Sequence, residues 1–431
     1  MKKIVSLAAL LIVVGGIYWF LLKDRPVGQP VSKPNINNNE DGLGFLRVPE
    51  GFKISVAADD LDGPRVIAFD PKGRMLVSET KTGRVRILDP VKSQSDHGAR
   101  DSFENKRVLI DGLRSPHGLA FLESSATTYL YIAETHQVAR YPYDVDSGKL
   151  VKTSGENIVT LPPDGRHVTR TIEFGPNWRD KNLVKGQEFF GGFYSNLKLY
   201  ISVGSSCDVC VETTWKRGAI LESDPDGTFT GEFAGGLRNA VFFTFHPETY
   251  EIWATDMGRD NLGDDLPPDE INIVKVADPK QHKFGARRFG WPFCYGNKVK
   301  DNTFNPEKVE RIDIHTNCSE TDAPVIEIPA HSAPLGLAFV DSDKWPKDWQ
   351  KDLLVAYHGS WNRSEPTGYK IVRFKVDKNG KVFETEDFIT RWLSQNKKKV
   401  YGRPVDLKFG PDGALYVSDD AAGIIYKLES K

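Results

Sequence analysis

The stretch GRPVDLKFGPDGALYVSDDAAGIIYKLE (402–429) holds three apolar runs separated by turn residues. GRPVDLKF ends on Phe409, Pro411-Asp412-Gly413 makes the turn, and LYVSDD (415–420) follows. IIYKLE (424–429) then begins directly after Gly423. Runs this short, bounded by Gly, Pro and Asp, read as consecutive antiparallel strands. The same unit occurs five more times. GPRVIAF (63–69), SPHGLAF (115–121), HVTRTIEF (167–174), RNAVFFTF (238–245) and SAPLGLAF (332–339) all close on phenylalanine. MLVSET (75–80), LYIAET (130–135), LYISVG (199–204), EIWATD (251–256) and LLVAYH (353–358) follow them in turn. Third strands recur as RVRILD (84–89), QVARYPYD (137–144) and KIVRFKVD (370–377). A repeating antiparallel sheet of this kind predicts an all-β fold, a β-propeller of six blades.

Two segments predict how the ring closes. RVLIDGLRSP (107–116) carries blade 1's outer strand, and Phe52–Ala57 resembles it but has no blade before it. Phe52–Ala57 is therefore expected to complete blade 6, which leaves no open sheet edge. The propeller domain is expected to span 45–431.

In a propeller the first strand of each blade lines a central channel, so the residues just before these strands gather at one mouth. Pro64, Pro116, Pro334 and Pro404 stand there, where a missing N–H costs no ladder bond. Around them lie Arg65, His117, His167, Arg170, Arg238, Asn239, His331 and Arg403. The chain has a formal charge of −2. A basic ring on a nearly neutral protein points to a small anionic ligand and away from nucleic acid.

The N-terminus reads separately. An uncharged, mostly apolar stretch, Ile4–Leu22, lies between Met1-Lys2-Lys3 and Lys23-Asp24-Arg25. It is long enough to span a bilayer of about 30 Å, and the lysines at the extreme N-terminus favour export of the rest of the chain. Residues 1–25 are expected to be an uncleaved anchor or a cleaved signal, and 26–44 a flexible linker. The protein is expected to be exported, periplasmic and tethered to the inner membrane. In an exported chain Cys207–Cys210 and Cys294–Cys318 read as two disulfides. A zinc site would need closer spacing in the second pair, and a redox-active C-x-x-C usually opens a helix. Two insertions, 175–197 and 277–324, interrupt the repeat and are expected to shape a site.

The segment GLRNAVFFTFHPETYEIWATDMGRDNLGDDLPPDEIN (236–272) joins Arg238-Asn239 to a loop with Asp256, Asp260, Asp264, Asp265, Asp269 and Glu270. Oxygen donors at this density suit calcium, although the spacing is not that of an EF-hand. This segment resembles the glucose/sorbosone dehydrogenases, most closely the sorbosone-dehydrogenase-like branch. The likeness continues through GSSCDVC (204–210), FGWPFCYG (289–296), HSAPLGLAF (331–339), HGSWNRSEPTGYK (358–370) and YGRPVDLKFGPDGALYVSDDAAG (401–423).

The resemblance implies a six-bladed propeller that uses pyrroloquinoline quinone (PQQ) and calcium. It implies that Arg238, Arg363 and Arg403 meet the PQQ carboxylates and that Asn239 bonds a quinone oxygen. Lys370 competes with Arg363 for its place. Calcium would be held by the backbone carbonyls of Gly258 and Arg259, not by the aspartates. His167 matches the general base, and an imidazole can serve as a base at neutral pH. Met257, Ala240 and Phe242 depart from the family pattern in this blade. The expected function is PQQ- and calcium-dependent oxidation of an aldose or sorbosone-like sugar, with electrons passed to a quinone or cytochrome. The competing readings are a calcium-dependent lactonase or esterase and a non-catalytic binding propeller.

Overall fold

The computed structural model describes residues 31, 43–91, 103–124, 126–179, 197–278, 280, 282, 285–309, 311 and 314–431. The expected membrane or signal segment and most of the linker and of the 175–197 insertion lie outside these residues. Among the described residues no helix is long and apolar enough to cross a membrane.

Six antiparallel sheets make six blades, as the repeat predicts. The inner strands are Pro64–Phe69, Leu119–Glu123, Ile172–Pro176, Phe243–Phe245, Pro334–Phe339 and Pro404–Phe409. The recurring phenylalanine has a physical reason in the register. Phe69, Phe121, Phe174, Phe245, Phe339 and Phe409 lie opposite Met75, Leu130, Leu199, Ile252, Leu353 and Leu415 respectively. One aromatic–aliphatic cross-strand pair therefore sets the register of each blade's first two strands. The second strands Met75–Glu79, Ile252–Asp256, Leu353–Tyr357 and Leu415–Asp419 are buried at every residue. Sheets packed face to face with neighbours on both sides leave such strands no solvent face.

The ring closes as expected. Phe52–Ala58 pairs antiparallel with Ile424–Ser430, with Phe52 opposite Ser430. Phe103–Ile110 is the outer strand of blade 1. At the axis, the Ile67 N–H donates to Asp406 Oδ2 at 2.8 Å and the Ser418 hydroxyl donates to the Arg65 carbonyl at 2.6 Å, tying blade 6 to blade 1. Inner strands approach so closely there that a Cβ on Gly336 would lie 2.5 Å from the Val405 carbonyl oxygen, which is why glycine occupies that position. Leu43 and Leu46 are buried against blades 5 and 6.

Both expected disulfides are present, Cys207–Cys210 and Cys294–Cys318. The second cross-links the 277–324 insertion. A short strand of that insertion, Arg287–Arg288, pairs parallel to Thr230–Gly235 and widens blade 3 to five strands.

Candidate functional site at the channel mouth

The inner strands of blades 1, 5 and 6 each show a register shift just after the leading proline. A bulge re-aims the chain, here at the channel mouth. Acids at the ends of second strands then fix the chain that leads into the first strands. Asp256 accepts the N–H groups of Arg238 and Asn239 at 2.9 and 2.6 Å, and Asp419 accepts that of Arg403 at 2.8 Å. Sequence reasoning missed this capping role, although the recurring motif endings SET, ATD and SDD carry an acid in the second strand's last turn and signal it.

On the blade 3–4 side, His167 Nδ1 lies 2.9 Å from Ser205 Oγ and 3.1 Å from the Ser205 carbonyl oxygen. The Ser205 hydroxyl donates its own proton to the Cys207 carbonyl at 2.7 Å. Both partners of Nδ1 can therefore only accept, so Nδ1 carries the ring proton and Nε2 holds the lone pair. Burial, then the charges of Arg238 and Arg166, push this imidazole down to about 3. It is neutral across the physiological range.

Arg238 is buried and densely bonded. Its Nη2 donates to Asp208 Oδ1 at 2.7 Å and to Asp260 Oδ2 at 3.2 Å, Nε to the Asp208 carbonyl at 3.0 Å, and Nη1 to the Met257 carbonyl at 3.2 Å. Asp260 also accepts from Arg166 Nη2 at 2.7 Å and from Asn362 Nδ2 at 2.8 Å, joining blades 3, 4 and 5. Asn239 is buried beside it, its Nδ2 3.7 Å from Met257 Sδ.

On the other side, Arg403 donates through Nε to the His358 carbonyl at 3.0 Å and through Nη2 to the Gly359 carbonyl. Its guanidinium carbon lies 5.5 Å from the centre of the Tyr369 ring. Among the described residues it forms no ion pair. Beside it, His358 Nε2 and Arg65 Nη1 share Asp420, at 2.9 and 2.7 Å. Burial works against ionisation of Asp420, yet His358 and Arg65 hold its carboxyl below the usual range. Burial, then Arg403, lowers His358 to about 4. His117 is fully buried, and its Nε2, like Arg65 Nε, has no hydrogen-bond partner among the described residues.

The structure corrects the reading of the mouth as a plain basic ring. Asp420 pairs with Arg65, and Asp208 and Asp260 with Arg238, and the sequence pattern identifies none of them as a partner of those cations. Arg170 does not face the funnel: it is fully buried, and its guanidinium donates to the carbonyls of Thr135, Pro162, His167 and Thr169. Arg363 is tied to the blade 4 loop through the Asp264 carbonyl and Asp265 Oδ1, the latter at 2.9 Å. Lys370 pairs with Asp387 at the blade's outer strand. His331 Nε2 donates to the Gly263 carbonyl at 2.8 Å.

The acids near Gly258 do not converge on a common point. Asp269 accepts the N–H groups of Gly258 and Ala333, both at 2.9 Å, Glu270 accepts that of Gly296 at 2.7 Å, and Asp264 accepts that of Ser364 at 3.0 Å. Burial pushes Asp256 and Asp269 up to about 7 and Glu270 to about 8. The carbonyls of Gly258 and Arg259 accept no hydrogen bond among the described residues. Arg259 itself donates to Asp301 Oδ2 at 2.6 Å, which anchors this loop to the 277–324 insertion. Among the described residues, the sole group of three with metal-ligand spacing is Cys207, Cys210 and Glu212, and its two sulfurs are already joined.

Known proteins share this architecture. A pyrroloquinoline quinone-dependent pyranose dehydrogenase of Coprinopsis cinerea is 26% identical over 439 residues, which covers 89% of this chain and 54% of that one. A pyrroloquinoline quinone-dependent sugar dehydrogenase of Hypocrea jecorina is 23% identical over 410 residues, covering 88% of each. The fold matches a calcium structure of the Trichoderma reesei carbohydrate-active enzymes family AA12 with a TM-score of 0.70. That match has 21% identity and covers 94% of this chain and 99% of that one. These relatives bear out the resemblance to PQQ sugar dehydrogenases. Residues 46–431 match the TrAA12-like family throughout, and the chain belongs to it.

Proposed function

We propose that the channel mouth binds PQQ and a calcium ion and oxidises the hydroxyl of an aldose or sorbosone-like sugar. The observation that carries this reading is the fixed tautomer of His167, which leaves Nε2 as a proton acceptor at a mouth that also holds an arginine without a carboxylate partner. PQQ carries three carboxylates and, when bound, supplies an ortho-quinone that accepts hydride.

The residues present fit that group. Among the described residues Arg403 faces the mouth without an acidic partner, so its fork suits a carboxylate. Arg238, and less directly Arg363, contribute field and shape, because their donors are largely engaged within the protein. Asn239 offers an amide to a quinone oxygen. The carbonyls of Gly258 and Arg259, which accept no hydrogen bond among the described residues, suit a hard cation. His167 Nε2 takes the hydroxyl proton, breaking O–H and forming N–H. The blade 4 acids are each bonded to protein donors, so nothing here favours the acidic metal cage that a propeller lactonase would need.

Reconstitution with PQQ and calcium, followed by dye-linked oxidation of aldoses, sorbosone and simple alcohols, tests the reading. Failure of both PQQ binding and turnover would sink it. A quinone or cytochrome as acceptor is part of the proposal, as is export with tethering through Ile4–Leu22. For the tether, the check is retention in membranes after carbonate washing. Release of a soluble form starting near residue 26 would show a cleaved signal instead.

A further inference from the structure

Four residues, Cys207 to Cys210, form a small ring closed by a disulfide. The loop that contains them touches both working groups on the blade 3–4 side. The Cys207 carbonyl takes the proton of Ser205 Oγ, the atom that receives His167 Nδ1–H. The next residue, Asp208, accepts Arg238 Nη2 through Oδ1 and Arg238 Nε through its carbonyl. The same Oδ1 accepts the Asp260 N–H at 2.9 Å, and the same carbonyl accepts Trp291 Nε1 at 3.3 Å. Two adjacent residues of one short loop thus make Ser205 Oγ an acceptor for the ring proton of the candidate base, beside the Ser205 carbonyl, and set the orientation of the candidate cofactor arginine.

A free loop of this length would sample many conformations, and closing it removes most of them. The base of the loop has a separate anchor, since Glu212 accepts both the N–H and the hydroxyl of Ser206. Opening the disulfide would therefore loosen Cys207 and Asp208 without detaching the loop from the blade. The two disulfides also differ in access: Cys207 and Cys210 are half-buried, whereas Cys294 and Cys318 are buried.

We propose that Ser205 and Asp208 are positioning residues for sugar oxidation, held in place by the Cys207–Cys210 disulfide, and that opening this one bond uncouples the base from the arginine. The proposal rests on the function proposed above. The charged groups facing His167 are Arg238, Arg166 and Asp208, and the loop fixes the first and third of them.

The test is graded reduction of the intact protein with dithiothreitol, with alkylation and peptide mass mapping to identify the open bond. Reduction transfers two electrons and two protons from the two dithiothreitol thiols to the S–S bond, leaving two cysteine thiols and a cyclic dithiothreitol disulfide. Three quantities are followed: the His167 tautomer by ¹⁵N NMR, PQQ binding by titration, and turnover. Opening Cys207–Cys210 alone is expected to free the Ser205 hydroxyl from the Cys207 carbonyl so that it can donate to Nδ1 in competition with the Ser205 carbonyl, giving exchange between both tautomers, and to lower turnover by about 10²-fold, the usual cost of an ångström-scale misplacement. The unfolding temperature should fall by no more than about a few degrees, the size of losing one short-loop crosslink in a chain this long, and reoxidation should restore activity. The Cys207→Ser/Cys210→Ser double variant should behave like the reduced protein.

A reduced protein that keeps its single tautomer and full turnover overturns the proposal. If the oxidised protein neither binds PQQ nor oxidises sugars, the function is wrong. The tautomer comparison still decides whether the loop positions His167.

Discussion

On the blade 3–4 side of the channel mouth, Arg238 donates to the carboxylates of Asp208 and Asp260. Across the mouth, Arg403 donates, among the described residues, to main-chain carbonyls alone. The histidines differ in the opposite sense. His167 is held by a serine and a carbonyl, and His358 by the ionised Asp420. The first side is a locked scaffold whose charges nearly cancel, while the second keeps an uncompensated cation. In a low-dielectric cleft an arginine without an acidic partner attracts an anion more strongly than one already neutralised. Anion affinity should therefore come from the Arg403 side, and orientation and proton transfer from the Arg238 side.

The largest effect expected on this contrast is at the base. His167→Ala should lower turnover by about 10²–10⁴-fold, the usual loss with a general base, while PQQ affinity in titrations changes little. Equal loss of PQQ binding would mean that the two sides do not divide the work.

Next comes Arg238→Ala, which leaves Asp208 and Asp260 without their shared partner. Breaking a buried pair from one side costs about 3–5 kcal/mol, so its first sign should be a fall in denaturant midpoint, not a PQQ defect. A variant of native stability that simply needs more PQQ would place the anion site on the wrong side.

Arg403→Ala should do the reverse. Native stability is largely retained, and PQQ binding weakens by about 1.5–3 kcal/mol, the size of a hydrogen bond to a charged group. Raising PQQ should recover part of its activity, and Arg403→Lys should recover little, because an ammonium lacks the planar fork.

The smallest effect concerns pH. Burial, Arg238 and Arg166 lower His167 to about 3, so no acid limb from this group should appear near pH 6.5. Replacing Arg166 by Gln removes one of the two cations that disfavour protonation, so the acid limb of kcat should move upward. Stability has a definite sign too. A histidine lowered on folding binds fewer protons in the native state than in the unfolded state, so its contribution is complete above about pH 6.5. That contribution is lost as pH falls toward about 3. An acid limb near 6.5 in the wild type would show that His167 is not in the environment described.

Much of the fold was legible because it is local. Phe69, Phe121, Phe174, Phe245, Phe339 and Phe409 each pair with the first or an early residue of the next strand, and after Phe69, Phe245 and Phe409 only a short turn lies between. Several candidate site residues were legible for the same reason. His167, Arg238, Asn239 and Arg403 stand just before inner strands, so the propeller topology alone brings them to one mouth. The cysteine pairs followed from the export reading and the chain's composition.

What the sequence could not show is which charges cancel. Arg65 meets Asp420 across a separation of 355 residues, Asp260 meets Asn362 across 102 and Arg166 across 94. No spacing rule relates such positions, because ring closure and loop packing bring them together. Composition and motif determined the blades, the mouth and the kinds of side chain found there. Tertiary structure alone decided that Arg238 is neutralised while Arg403, among the described residues, is not, and that Ser205 fixes the proton of His167. Side-chain pairing depends on three-dimensional distance, and in a closed ring residues near in space are often far apart in the chain.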